Sequence, residues 1–163
     1  MVHHNAVVRF VYLALGAVLL TPGCTEDGRD PTSVKQAARW ECELPQDNPI
    51  GGTFGDVPGV EVQGTGDGAE TWALLWEQPP WRINEEVKVV WRMTGTGDFS
   101  VEAVGPDGEI LAPTQGPTPH TGSNWDRPGQ EWGTFFRLPT EGCWTLKARR
   151  GASVSDIPVM IVP

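Results

Sequence analysis

Residues 131–151 read EWGTFFRLPTEGCWTLKARRG, and the fold follows from how they divide. Thr134, Phe135, Phe136, Arg137 and Leu138 are β-branched, aromatic or alternating types that suit a pleated sheet. Pro139 has no N–H to give to a ladder, so the strand ends there. Gly142 reverses the chain at no steric cost, which makes Pro139–Gly142 a corner. Beyond it Trp144, Leu146 and Ala148 fall on one face, and Cys143, Thr145, Lys147 and Arg149 on the other. The indole and the leucine mark the first face as the buried one.

The same period of two recurs upstream. Val87, Val89, Trp91 and Met93 alternate with Lys88, Val90 and Arg92, which predicts a strand with the first set inward. Phe99, Val101 and Ala103 alternate with Ser100 and Glu102. Gly105-Pro106-Asp107-Gly108 is a tight turn, and Glu109–Leu111 returns as the second arm of a hairpin. Thr71–Glu77, TWALLWE, is a dense apolar strand stopped by Pro79-Pro80, and Val60–Val62 is a short strand. Ile157, Val159 and Ile161 alternate in a last strand that Pro158 confines to an edge or a bulge. Residues 45–59, rich in Pro, Gly, Asp and Asn, and 112–130, rich in Pro, Gly, Ser and Asn, read as connections. The expectation is an all-β, two-sheet sandwich of about seven or eight strands.

The segment from Asn124 carries a resemblance. Asn124, Trp125, Pro128, Gly129, Gln130, Glu131, Trp132, Gly133, Pro139, Gly142, Cys143 and Trp144 form an xNW…PGxEWG…PxxGCW pattern. It resembles the penultimate-strand region of bacterial immunoglobulin-like sandwich domains, and a set of small secreted lipoproteins of unknown function. The resemblance implies an immunoglobulin-like sandwich; it implies no activity, because a fold does not carry one.

The N-terminal part reads as an export signal. Phe10–Leu20, FVYLALGAVLL, is an apolar run of eleven residues, too short to span a bilayer and suited to the core of a signal peptide. Thr21-Pro22-Gly23-Cys24 follows and resembles the lipobox of bacterial lipoproteins. That resemblance implies cleavage after Gly23, acylation of Cys24 and attachment to a lipid bilayer. Thr21 departs from the usual leucine and Pro22 is unusual; ordinary secretory cleavage is the alternative. The division is then a signal peptide over 1–23, a polar, flexible tether over 24–39, and the sandwich domain over 40–163. With Cys24 assigned to lipid, Cys42 and Cys143 remain of the three cysteines, and in an oxidising compartment they are expected to pair. Two separate buried thiols are the alternative; a metal held by two distant cysteines is the weakest option.

Charge narrows the function. The chain carries a net charge of −9; residues 1–23 contain Arg9 and no acid, so the rest has 11 Lys+Arg against 21 Asp+Glu, or −10. This argues against nucleic acid as a partner. No cofactor, metal ligand set or catalytic set stands out. His120, Ser123 and Asp126 are neighbours in sequence but lie in a connection, where His120 reads as solvent-exposed. Of the eight tryptophans, Trp72, Trp91 and Trp144 are expected between the sheets, while Trp81 and Trp125 fall in loop-like segments. The leading expectation is a non-catalytic, lipid-anchored, extracytoplasmic domain that contacts an envelope protein. The alternative is a carbohydrate-binding module using Trp81 and Trp125, with His120 beside them.

Overall fold

The computed structural model describes Cys42, residues 50–54 and residues 57–163. The segments expected to be a signal peptide (1–23) and a lipid-attached tether (24–39, with Cys24) lie outside the described residues.

Every regular element among them is a strand. In chain order these are β1 (Ile50–Phe54), β2 (Val57–Gln63), β3 (Thr65–Asp67), β4 (Thr71–Leu75), β5 (Trp81–Arg82) and β6 (Glu86–Met93). They continue as β7 (Phe99–Val104), β8 (Ile110–Leu111), β9 (Gln115–His120), β10 (Gln130–Arg137), β11 (Gly142–Arg150) and β12 (Ser153–Val162). The first sheet runs β1-β2-β4-β6-β10-β9; the second runs β3-β12-β11-β7-β8, with β5 beside β12. All pairings are antiparallel except β5 with β12. The inner order β4-β6-β10-β9 against β12-β11-β7-β8 is the A-B-E-D and G-F-C-C′ connectivity of an immunoglobulin-like sandwich.

The count of twelve exceeds the seven or eight expected, for two physical reasons. β3 and β5 are two or three residues long and show no periodicity. β1, the start of β2, and β9 lie in the stretches 45–59 and 112–130 that composition assigns to connections. β9 holds Pro117 and Pro119, which an edge strand tolerates because one side of its ladder is unused. Pro158 is accommodated in the same way, since β3 covers Val154–Asp156 and β5 covers Ile161–Val162, leaving that position without a neighbour on one side.

β10 and β11 belong to different sheets, so the corner at Pro139–Gly142 carries the chain across the sandwich. Trp144 Nε1 closes that corner with a hydrogen bond to the Thr140 carbonyl at 3.0 Å. Between the sheets sit Val87, Val89, Trp91, Met93, Phe99, Trp132, Phe136, Trp144, Leu146 and Ile157. Trp91 satisfies its N–H on Thr134 Oγ1 at 2.8 Å, so burying this ring strands no donor.

Trp72 is not in that core. The run TWALLWE is apolar throughout, so alternation in it is invisible; Ala73 and Leu75 take the inside and Trp72 and Leu74 the outside. There they meet Val90 and Trp125 in a second buried cluster on the outer face of the first sheet. The Cys42–Cys143 disulfide forms, with a Cα–Cα distance of 5.3 Å. Cys143 is the outward-facing residue before Trp144, so the bond fastens the start of the domain to the outside of the second sheet.

Candidate functional site

Antiparallel register places His120, Glu131, Arg92, Trp72 and Gln63 side by side across five strands of the first sheet. The carboxylate of Glu131 is buried. Its Oε2 accepts a hydrogen bond from Arg92 Nε at 3.0 Å, and its Oε1 lies 3.4 Å from His120 Nδ1. The imidazole leans over Gly133, where an added Cβ would come within 3.3 Å of Nε2. Glycine at 133 therefore lets the ring settle on the sheet.

Arg92, His120 and Glu131 line a cleft of about 410 Å³. Gly97, Asp98, Phe99 and Trp132 line it as well. Phe99 and Trp132 stack with centroids 4.3 Å apart and planes 12° from parallel. Arg150 braces the wall from behind: it donates to the Met93 and Gly97 carbonyls and to Gln130 Oε1, and lies 4.9 Å over Trp132. The rim at Gly129 has φ +98, and a side chain there would strike the Met93 carbonyl, so the chain passes close enough to seal that corner.

A strap formed by residues 121–129 joins β9 to β10 and lies over the outer cluster. Trp125 fills the space above Trp72, Leu74 and Val90, and its Nε1 donates to Glu61 Oε1 at 2.6 Å. Arg127 donates from Nε and Nη2 to the two oxygens of Glu61, while its guanidinium lies 3.9 Å over the Trp72 ring. Burial would push the Glu61 carboxyl up; the hydrogen bonds from Arg127 and Trp125 and the Arg127 charge outweigh it, so the group sits below its ordinary value. Arg92 ties strap to cleft, giving Nη1 to the Arg127 carbonyl and Nε to Glu131.

The structure places Trp81, Trp125, His120 and Ser123, which the sequence singled out; Cys24 lies outside the described residues. Trp81 is 1% exposed in the inter-sheet core, with Nε1 on the Glu77 carbonyl at 2.8 Å. Trp125 is 5% exposed under its own strap. The two do not share a surface, and neither offers the open ring face that stacking on a sugar requires. His120 is solvent-exposed, as expected, but ends a strand and faces a carboxylate, so it is not a loose loop residue. Ser123 serves the strap by accepting the Trp125 N–H at 3.0 Å. Among the described residues no group of three or more His, Cys, Asp or Glu side chains could hold a metal ion, and no helix is long and apolar enough to cross a membrane.

Glu131, Arg92 and Arg150 were not named as site residues from sequence. Glu131 lies eleven positions from His120, and their meeting depends on a β9–β10 hairpin that the prolines of β9 conceal. A scan against protein-family models and a search of the curated proteins return no match for this chain.

Proposed function

We propose that this chain is an exported, lipid-anchored module of the cell envelope that works through contacts with another envelope protein and not through catalysis. The observation that carries the reading is the Cys42–Cys143 disulfide, which takes two of the three cysteines and belongs to an oxidising compartment. Cys24 is then the one left for acylation, directly after an apolar segment of signal-peptide length. The reading takes 1–23 as signal, 24–39 as tether and 40–163 as domain, and the PGxEWG and PxxGCW segments, which resemble those of small secreted lipoproteins, support it.

The non-catalytic part rests on how the reactive groups are spent. Both oxygens of Glu131 face partners, and the Nδ1 of His120 faces that carboxylate. Trp81 and Trp125 are consumed by packing, which removes the support for a sugar-stacking platform. The excess of acid over base disfavours nucleic acid as the partner.

Intact mass of membrane-extracted protein, before and after reduction, tests the reading. The expected product begins at Cys24, carries acyl chains, and gains two hydrogens only on reduction. A product that retains Met1, or that lacks acyl chains, overturns the anchored reading.

A further inference from the structure

Part of the second sheet has an unused edge. In an antiparallel strand the N–H and C=O of alternate residues point to opposite sides. Gly105 N donates to the Glu109 carbonyl at 2.8 Å, and Ala103 pairs with Leu111, so the odd-numbered residues of β7 face β8. Phe99 and Val101 share that parity. β8, however, stops at Leu111. The chain then leaves through Ala112 and Pro113 for the other sheet, where Thr114 N donates to the Phe135 carbonyl at 2.8 Å. Among the described residues no strand is hydrogen-bonded to Phe99–Val101 on this side, where the end of β9 approaches only across the cleft, although β11 pairs with it on the other. The neighbouring edge of the first sheet is different in kind, because Pro117 and Pro119 interrupt the donors of β9.

The cleft opens at the start of this edge, at Asp98 and Phe99. A strand added beside β7 would run about 4.8 Å away, with alternate side chains directed inward. A side chain of that strand reaches the mouth of the cleft, where Phe99 and Trp132 line it, Asp98 is exposed and Arg92 is already paired with Glu131, on a chain whose net charge is −9. A long aliphatic stem with a cationic head satisfies both surfaces.

We propose that the Phe99–Val101 edge is a β-augmentation site for an extended segment of a partner protein carrying a lysine or arginine. This deepens the protein-contact reading above and rests on it. Only a polypeptide strand supplies donors and acceptors at the ladder spacing, and the cleft selects its side chain.

The test is amide hydrogen exchange on the full chain in detergent. The probe is a capped peptide of about eight residues, alternating threonine and valine around one central lysine. In the chain alone, the Val101 amide exchanges rapidly while Ser100 and Glu102, which face β11, are protected. The peptide slows Val101 exchange by about tenfold or more. Val101→Pro abolishes that binding, because it removes an N–H that no internal ladder uses. Asp98→Asn, a rim substitution that leaves the fold intact, weakens binding by about threefold, and replacing the peptide's lysine by glutamine does the same. A Val101 amide already protected in the monomer means that the chain covers its own edge and overturns the proposal. So does a dimer in sedimentation at the same concentration, or binding indifferent to both Val101→Pro and Asp98→Asn. These outcomes leave the mass measurement untouched, and an unlipidated product would leave the edge untouched, so the two failures are distinguishable.

Discussion

The two outer faces of this sandwich are built from the same alternation and end in opposite states. On the second sheet the outward residues of β7, β11 and β12 include Glu102, Lys147, Arg149 and Asp156. They form a solvated ladder in which Lys147–Asp156 span 3.2 Å and Arg149–Glu102 3.4 Å. On the first sheet the outward residues of β2, β4 and β6 include Glu61, Trp72, Leu74 and Val90, and all four are buried. The strap makes the difference. By laying Trp125 and Arg127 over this face it turns an exterior into a second, smaller core with a carboxylate at its centre. Whether a strand face is interior is thus decided by what the connecting segment places on it, not by the strand alone.

Each outer face has its own fastening, and removing them in turn ranks the two. The largest effect is expected from Cys143→Ser, which frees a loop closed over a sequence separation of 101 residues. The chain-entropy model puts the loss at about 4–5 kcal/mol, read as a lower midpoint in chemical denaturation of the oxidised protein. Trp125→Ala empties the strap's plug and is expected to cost about 3–5 kcal/mol, with faster exchange of the amides of 121–129. If Trp125→Ala costs less than about 1 kcal/mol, the outer cluster is not a core and the contrast between the faces fails.

Glu61→Gln comes next. It keeps the shape and one acceptor but removes the charge that binds Arg127, and is expected to cost about 2–3 kcal/mol at neutral pH. The Glu61 carboxyl titrates below its ordinary value of 4.5 in the fold. Its contribution is therefore complete above 4.5 and is lost as pH falls through the lower, folded value. The gap between wild type and Glu61→Gln should close on acidification over that window. A gap that stays constant from neutral to strongly acidic pH would mean that Glu61 is not holding the strap by its charge.

Much of this was legible in advance, and the exceptions have specific causes. Strands with clean alternation, such as β7 and the Trp144–Ala148 stretch of β11, are where the period of two placed them, with the expected face inward. The outward direction of Val90 was correct, but its burial was not visible, because that depends on a residue thirty-five positions later. Trp72 was assigned to the wrong side because Ala73 between its large neighbours hides the period. The cleft was the least legible part. His120 read as an exposed loop residue, since β9 carries two prolines in six residues and looks nothing like a strand. Once β9 is placed, the His120–Glu131 register follows directly.

The smallest effect belongs to the solvated ladder. Lys147 and Asp156 are both partly exposed, so the pair gains little from its charges and loses side-chain freedom in forming. Lys147→Ala is expected to change stability by about 1 kcal/mol or less, and high salt should shrink even that difference. The same salt should leave the cost of Trp125→Ala almost unchanged, since that term is packing. If Lys147→Ala proves as damaging as Glu61→Gln, the second sheet's outer face is also covered by some part of the chain, and the asymmetry between the faces disappears.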